Sequence, residues 1–154
     1  MKLERMTGPE HPLYAAAWAL YEAAFPANER RDAEWQARAL AQDAYHMCAA
    51  AEDGTLCAIA FYWMHGGELF LEHLAVASEL RGRGIGAALL AFGIQLPIDY
   101  GYGGAIYLKA KTTQLREHYM RNYGAIPFSR FDPFLLLIDG DAARELFGRY
   151  LKEV

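Results

Sequence analysis

The sequence predicts an α/β fold in which helices flank a mixed, mostly antiparallel sheet within a single domain over 1–154. The length of 154 residues is enough for one hydrophobic core. Apolar runs on both sides of a turn signal at 52–54 indicate an antiparallel hairpin. A strand, a glycine-rich loop and a helix follow one another through 68–90, and a further strand at 105–110 indicates a parallel crossover.

Composition narrows the class of protein and its partners. Hydrophobic residues make up 54% of the chain and charged residues 22%, as is typical of a globular protein. No apolar run reaches the roughly 18 residues of a membrane span, so we expect neither a membrane partner nor a secretory leader. The net charge of −4 argues against nucleic acid as a partner. Cys48 and Cys57 lack metal-ligand spacing, and we expect reduced core thiols in a cytoplasmic protein.

The N-terminal part of the chain predicts a strand, two helices and a hairpin. Apolar residues recur at helical spacing over 12–25, and this helix ends there because the residue before a proline avoids helical backbone angles. Asp32 is a suitable N-cap for the second helix. The predicted strands of this part lie at 1–7, 45–51 and 55–64.

The remainder of the chain predicts one long strand and a series of shorter elements. Apolar density over 68–77 predicts the long strand, and the helix after it runs to about Gln95 because Pro97 follows. Gly124 is a suitable C-cap for a later helix. The other predicted elements are strands at 105–110, 125–129 and 134–138 and helices at 113–123 and 139–150.

The glycine-rich loop between the long strand and its helix predicts an anion site. Gly82, Gly84 and Gly86 stand at every second position, so successive backbone N–H groups can converge at the start of the helix. The positive end of the helix dipole strengthens such a site. Arg81 and Arg83 place two cationic side chains beside the glycines. The loop is therefore expected to bind phosphate.

Three kinds of phosphate site are open to this loop. The run 82–87 formally fits the dinucleotide fingerprint, so an NADP-linked oxidoreductase is one alternative. Its context differs, because hairpin strands precede the loop and the next strand, at 105–109, ends in lysine where an acidic residue would be expected. A Walker loop is excluded, since no Gly-Lys-Ser/Thr follows.

The third kind of site is suggested by a resemblance. The strand ending Leu74-Ala75-Val76, followed by Arg81-x-x-Gly84-x-Gly86, resembles the acetyl-CoA motif of the GNAT N-acetyltransferase superfamily. The Phe-Pro-x-x-Glu-Arg segment within 21–30 is similar to the first helix pair of many small GNAT proteins, which walls their acceptor pocket. The resemblance implies that loop amides hold the coenzyme A pyrophosphate and that the strand backbone pairs with pantetheine.

The resemblance also implies which residues bind the coenzyme. Thr113 stands where the family often carries an asparagine, at the start of the later helix. The expected coenzyme-binding residues are Leu74, Ala75, Val76, Arg81, Gly82, Arg83, Gly84, Ile85, Gly86, Ala87 and Thr113.

Glu72 is the candidate base. An alkylammonium with a pKa of about 10 must lose a proton before it attacks a thioester, so a base or a water relay is needed. Several GNAT enzymes carry an acid/base residue at the position of Glu72, and burial in an apolar strand would make this carboxylate a stronger base. Alternation places Glu72 on one face with Leu74 and Val76. The alternative is a structural ion pair with an arginine such as Arg30 or Arg81.

Tyr119 is the candidate acid that returns a proton to the thiolate, and Tyr123 is the second choice. The family often has a tyrosine four residues before the glycine that ends this helix, but Met120 stands there in this chain. Core packing is the alternative role for both tyrosines. His73 would be the base if a bulge changed the facing of its strand, and is otherwise a hydrogen-bonded core residue.

These observations predict an enzyme that moves an acetyl group from acetyl-CoA, its cosubstrate, to an amine of a small molecule or peptide through a direct ternary complex. No metal is expected, and a homodimer is compatible with the resemblance. The alternative is a non-catalytic acyl-CoA sensor. Ring faces and carboxylates of the first helix favour a cationic acceptor, whereas Arg30 and Arg31 would favour a carboxylate. The proposed cation-binding residues are Tyr21, Glu22, Phe25 and Glu29.

Overall fold

The computed structural model describes residues 1–102 and 104–150, which form a seven-stranded sheet with helices on both faces. The predicted domain of 1–154 also includes 103 and 151–154, which lie outside the described residues. The strands are β1 (Lys2–Met6), β2 (Tyr45–Glu52), β3 (Thr55–His65), β4 (Glu68–Val76), β5 (Ile106–Lys109), β6 (Ile126–Pro127) and β7 (Leu135–Ile138). The helices are α1 (Tyr14–Ala24), α2 (Ala33–Leu40), α3 (Ile85–Asp99), α4 (Thr113–Tyr123) and α5 (Gly140–Tyr150).

The strand order β1-β2-β3-β4-β5-β7-β6 combines antiparallel neighbours with one parallel crossover. β4 and β5 run parallel and are connected through α3, and every other neighbouring pair within the described residues is antiparallel. The expected mixed, mostly antiparallel sheet flanked by helices is therefore confirmed.

Each face of the sheet carries its own hydrophobic cluster. One cluster joins α3, α4 and α5 to the sheet and includes Tyr62 and Leu89. The Tyr62 hydroxyl donates to the Leu89 carbonyl at 2.9 Å, and a Cβ at Gly93 would lie 2.5 Å from the Tyr62 ring, so glycine lets α3 approach closely. The second cluster joins α1 and α2 to the opposite face and includes Tyr21 and Phe61.

Several predicted turns and caps are present. The Asp32 carboxylate accepts a hydrogen bond from the Trp35 amide at 2.8 Å, which caps α2. Gly124 ends α4 in the left-handed conformation, with φ of 68°. Asp53 and Gly54 both have positive φ, at 51° and 78°, as expected for the tight turn of the β2–β3 hairpin. These elements follow from local backbone preferences.

The predicted end of the long helix near Gln95 is wrong, because α3 continues through Pro97 to Asp99. Pro97 lies in the last turn, where its missing N–H removes a single helical bond. The Tyr100 amide still donates to the Leu96 carbonyl at 3.3 Å, so the turn closes after the proline.

Cys48 and Cys57 are buried free thiols, as predicted. Burial raises the pKa of the Cys48 thiol to about 12, so this side chain is an inert core residue. No helix among the described residues is both long enough and apolar enough to cross a membrane.

A β-bulge in β4 sets the geometry of the central strands. Phe61 pairs with His73, but the next residue of β3, Tyr62, pairs with Leu71. Glu72 is therefore an extra residue that has no partner on β3. The bulge turns the side chains of Glu72 and His73 toward the same face of the sheet, where both meet residues of α1 and the segment after it.

The bulge overturns the predicted facing of Glu72. Regular alternation would place Glu72 with Leu74 and Val76. In the structure Leu74 and Val76 pack toward α3, whereas Glu72 lies on the face covered by α1 and α2. The strand is thus bulged, which is the condition under which the sequence predicts His73 as the alternative base.

β4 and β5 separate beyond this bulge. Their pairing covers Leu69–Leu71 on β4 and Ile106–Leu108 on β5. β4 continues to Val76, and in the described part of the chain no strand pairs with 72–76 on the β5 side. The result is a V-shaped opening in the middle of the sheet, with backbone N–H and C=O groups along one wall.

Candidate active site

A cleft of about 710 Å³ occupies the V-shaped opening. Its walls are the end of β4, the loop before α3, the start of α3, one side of α4 and the end of α1. Because it is lined by Phe25 from one face of the sheet and Leu74 from the other, the cleft connects the two faces. The predicted coenzyme residues that line it are Leu74, Ala75, Val76, Arg81, Gly82, Gly84, Ile85, Gly86 and Ala87.

Two predicted coenzyme residues are not among those lining the cleft. Arg83 is exposed and approaches Glu52 at 3.6 Å between Nη2 and Oε2. Thr113 is an exposed first residue of α4, and the neighbouring Thr112 caps the helix by accepting from the Leu115 amide at 3.1 Å. The structure therefore brings together most of the predicted set and leaves these two outside the cleft.

The loop before α3 has the backbone that an anion site requires. Gly82 and Gly84 have φ of 81° and 80°, the left-handed region that favours glycine. Gly84 is also the N-cap of the 15-residue helix α3, whose first backbone N–H groups point toward the cleft end of the helix. Arg81 lines the same cleft, and no ion pair of Arg81 occurs within the described residues.

Glu72 lies at the bulge where β4 and β5 separate, outside the residues that line the cleft, and two donors hold its carboxylate. Arg31 Nη1 donates to Oε1 at 2.5 Å, and the Trp63 indole Nε1 donates to Oε2 at 3.0 Å. The Glu72 side chain keeps 24% of its surface exposed, so it remains accessible to a ligand. The ion-pair partner is Arg31 rather than Arg30 or Arg81, since Arg30 pairs with Glu22 at 3.3 Å.

Arg31 was predicted only as a possible partner of an acceptor carboxylate, and its role as the partner of Glu72 was missed. Its Nε donates to Gln36 at 2.8 Å and its Nη2 donates to the Tyr45 hydroxyl at 2.8 Å, in addition to its bond to Glu72. Its backbone N–H donates to the Tyr21 hydroxyl at 2.8 Å. One side chain thereby connects α2, β2 and the bulge of β4. The one sequence signal was a glutamine inside an amphipathic helix, since Gln36 is fully buried.

His73 is a buried neutral imidazole next to Glu72. Burial lowers its pKa to about 4, and its Nδ1 has no hydrogen-bond partner among the described residues. Its Nε2 lies 3.6 Å from Glu72 Oε1, beyond hydrogen-bond distance. The rings of Tyr21 and Phe25 enclose it at centroid distances of 5.0 and 4.5 Å. His73 therefore packs as a core residue, but the prediction of a hydrogen-bonded histidine is wrong, because neither ring nitrogen makes a hydrogen bond within the described residues.

The tyrosines of α4 lie on the α3 side of the cleft. Tyr119 lines the cleft, is 8% exposed, and has its pKa raised by burial. Its hydroxyl makes no hydrogen bond within the described part of the chain, which leaves this donor for a ligand. Tyr123 also lines the cleft, with its hydroxyl 3.2 Å from His118 Nε2. Met120, at the family's tyrosine position, packs in the core and does not line the cleft.

The expected cation-binding segment is mostly engaged elsewhere. Tyr21 is fully buried, so its ring offers no surface to an acceptor. Glu29 forms an ion pair with Lys111 at 2.6 Å, and Lys111 Nζ lies 4.4 Å from the centroid of the Phe25 ring. With Glu22 paired to Arg30, both predicted carboxylates already have basic partners. Phe25 alone among the four lines the cleft.

The structure also bears on metal binding. Within residues 1–102 and 104–150, no group of three or more histidine, cysteine, aspartate or glutamate side chains is arranged to hold a metal ion.

Solved structures with the same fold are acetyltransferases. A putative GNAT acetyltransferase from Desulfovibrio desulfuricans is 19% identical, with a TM-score of 0.70, and the match covers 90% of this chain and 98% of that one. The PaiA N-acetyltransferase from Thermoplasma acidophilum, solved with coenzyme A, is 14% identical with a TM-score of 0.64, covering 90% and 99%. An aminoglycoside acetyltransferase from an uncultured soil metagenomic sample is 19% identical with a TM-score of 0.63, covering 78% and 84%.

At these identities the structures show a shared fold. A search among curated proteins gives no significant match. The sequence itself supplies the family, because a family model described as "Acetyltransferase (GNAT) family" matches residues 11–125, which is well over half of the chain. The chain belongs to the GNAT family of acetyltransferases.

Proposed function

We propose that this protein transfers an acetyl group from acetyl-CoA to an amine of a small molecule or peptide, within a ternary complex and without a covalent enzyme intermediate. The observation that carries the proposal is the position of Glu72, an accessible carboxylate at a bulge beside the opening that the cleft fills. The proposed proton acceptor thus lies at the bulge where β4 and β5 separate, next to the cleft.

The main chain around the cleft fits the coenzyme. The left-handed Gly82 and Gly84 and the first amides of α3 would hold the pyrophosphate, with Arg81 as a counter-charge. The unpaired edge of 74–76 would hydrogen-bond the pantetheine amides. Acetyl-CoA, as cosubstrate, supplies the thioester.

Glu72 handles the proton of the amine in this proposal. The amine nitrogen attacks the thioester carbonyl carbon, the C–S bond breaks, and the nitrogen loses a proton. Each Glu72 oxygen already accepts one hydrogen bond, from Arg31 or Trp63, and keeps a lone pair for the amine or for a water molecule that carries its proton away. Arg31 compensates the charge and fixes the direction of the carboxylate.

Tyr119 protonates the departing thiolate. Burial holds the pKa of Tyr119 above its ordinary value, so the hydroxyl remains protonated at neutral pH and can donate. Its position on the α3 wall of the cleft is opposite the face that carries Glu72. Tyr123 lines the same wall and is the second candidate.

The test is amine-dependent release of free thiol from acetyl-CoA, with the acetylated product identified by mass spectrometry. The panel comprises polyamines, aminoglycosides, amino acids, arylalkylamines and lysine peptides. At least one amine should raise thiol release well above hydrolysis, and Glu72→Gln should abolish most of that increase. If acetyl-CoA binds but no amine raises thiol release, the proposed reaction is wrong.

A further inference from the structure

We propose that the acceptor is a primary amine carried on a flat apolar body, such as an arylalkylamine, and that this body binds an aromatic face next to Glu72. This inference rests on the proposed acetyl transfer and specifies its substrate class. The aromatic face consists of Trp63, Phe70, Tyr107 and Phe128, which four different strands or strand ends contribute.

Strand register places these four side chains in one row. Trp63 of β3 pairs with Phe70 of β4, and Phe70 pairs with Tyr107 of β5. Paired residues of neighbouring strands point to the same face, so these three side chains leave the sheet from neighbouring positions on one face. The Phe128 ring continues the row, with its centroid 5.1 Å from that of Tyr107. The row lies on the side of the sheet covered by α1 and α2, because Trp63 packs with their cluster.

The aromatic face remains open to solvent. Phe70 is 41% exposed and Phe128 is 47% exposed, which is unusual for phenylalanine within a sheet. α1 and α2 pack on β2, β3 and β4, so the row continues beyond the part of the sheet that these helices cover. Exposed rings gathered on one face of a sheet mark a binding surface.

The aromatic face is continuous with the candidate reaction centre. Trp63 donates its indole N–H to Glu72 Oε2 at 3.0 Å while its ring begins the row. The cleft reaches this side of the sheet at Phe25 and Lys111. A ligand on the aromatic face can therefore extend a short alkylamine past Trp63 toward Glu72, beside the opening between β4 and β5 where the thioester would lie in the proposed reaction.

The charges around the aromatic face favour an amine over an acid. Glu68 accepts from the Tyr107 hydroxyl at 3.4 Å and has no basic partner within the described residues. Lys109 lies on the same face, but Asp132 compensates it at 3.1 Å. Glu72, although paired with Arg31, keeps 24% of its side chain exposed. Ring faces together with carboxylates attract organic cations, whereas a polyhydroxylated acceptor would need more hydrogen-bonding groups than this row offers.

The test compares two primary alkylamines of similar length, phenethylamine and 2-(2-aminoethoxy)ethanol, as acceptors. We expect kcat/KM for phenethylamine to be higher by about tenfold or more, equivalent to about 1.4 kcal/mol. Phe70→Ala should remove most of this preference and leave acetyl-CoA affinity unchanged. Tyr100→Ala is the matched control, because Tyr100 is an exposed aromatic residue at the end of α3, away from the cleft lining.

Each outcome decides the proposal. Equal kcat/KM values for the two amines, or a preference that survives in Phe70→Ala, would overturn it while leaving acetyl transfer intact. If the chain dimerises in sedimentation experiments and Phe70→Ala yields monomers with unchanged amine preference, a second copy covers this face and the proposal is wrong. If no amine is acetylated, the proposed function fails, and saturation-transfer NMR of phenethylamine with the coenzyme A complex still shows whether the aromatic face binds.

Discussion

Two regions of the proposed active site are constructed differently. The coenzyme end, which is proposed to hold acetyl-CoA, is main chain of one continuous stretch, 74–87, with glycines that allow left-handed backbone angles beside the cleft. The acceptor end, which is proposed to hold the amine, consists of side chains from separate elements, with Arg31, Trp63 and Glu72 meeting through hydrogen bonds outside the residues that line the cleft. Main-chain sites follow from local sequence, whereas side-chain sites depend on how distant elements pack. The two ends should therefore respond to different substitutions.

The largest effect is expected at the acceptor end. Glu72→Gln removes the proton acceptor but keeps the shape of the side chain, so turnover should fall by roughly 10²–10⁴-fold with little change in acetyl-CoA affinity. The loss should shrink at high pH, where more of the amine is already neutral. Steady-state kinetics with the best amine from the panel, at neutral and at high pH, give the turnover of both proteins and its dependence on pH.

Glu34→Gln is the matched control for this variant, since the Glu34 carboxylate also pairs with an arginine, Arg38, but in an exposed ion pair on α2 outside the cleft lining. Its turnover should stay within about threefold of the wild-type value. If Glu72→Gln retains wild-type turnover at neutral pH, the carboxylate has only its structural role with Arg31, and a water chain must accept the proton.

At the coenzyme end we expect Gly84→Glu to weaken acetyl-CoA binding by about a hundredfold or more, because a side chain blocks the backbone approach and a carboxylate repels phosphate. Gly101→Glu is the control. Gly101 has a similar φ of 84° and open space around it, so it carries the same backbone strain away from the cleft. Calorimetry should show lost affinity in the first variant only. Unchanged affinity in folded Gly84→Glu would remove the phosphate assignment.

Sequence alone could predict the backbone shape of the glycine loop at the coenzyme end, because the residues that determine it are adjacent in the chain. Gly82 and Gly84 carry the left-handed backbone angles themselves. The acceptor end was less predictable, because Arg31 lies 41 positions from Glu72 along the chain and nothing local marks it as the partner. The bulge at Glu72 was also hidden, since neither glycine nor proline occurs there. Regular alternation, which takes no account of a bulge, predicts the wrong face for Glu72.

The third prediction concerns the stability of the fold in acid, which depends on the buried His73 at the acceptor end. Its pKa is about 4 in the folded chain and about 6.5 when unfolded, so the unfolded state binds more protons between these values. Stability must therefore fall as the pH drops from about 6.5 to 4, by roughly 3 kcal/mol from this residue. Urea unfolding of wild type and His73→Gln at pH 7 and pH 4 isolates the contribution, since buried His46 acts equally in both.

The quantity to compare is the free energy of unfolding that each protein loses between pH 7 and pH 4. The wild-type protein should lose more stability on acidification than His73→Gln does. Equal losses in the two proteins would mean that His73 is not held neutral by its burial.

A smaller effect is expected from Arg31, which acts through Glu72. Arg31→Gln should lower kcat by about tenfold with acetyl-CoA affinity unchanged, and should cost much less in a Glu72→Gln background because the shared interaction is already lost. Arg30→Gln is the control, since Arg30 pairs with the exposed Glu22. Additive losses in the double variant would show that Arg31 acts on stability and not on the carboxylate.

The smallest effect is expected from the carboxylates of the first helix and its following turn. Because Arg30 and Lys111 already compensate Glu22 and Glu29, Glu22→Gln and Glu29→Gln should each raise KM for the best amine by less than about threefold, equivalent to about 0.7 kcal/mol. A larger rise in either variant would return this segment to the acceptor site and weaken the role of the aromatic face.

Chemical-shift mapping of the isotope-labelled protein tests the division of the cleft most directly. Coenzyme A should shift the backbone amide signals of 74–76 and 81–87, and phenethylamine added to that complex should shift those of Phe70, Glu72 and Tyr107. This result would place coenzyme and acceptor at opposite ends of one opening. If coenzyme A binds and leaves the amide signals of 81–87 unchanged, the central claim is contradicted.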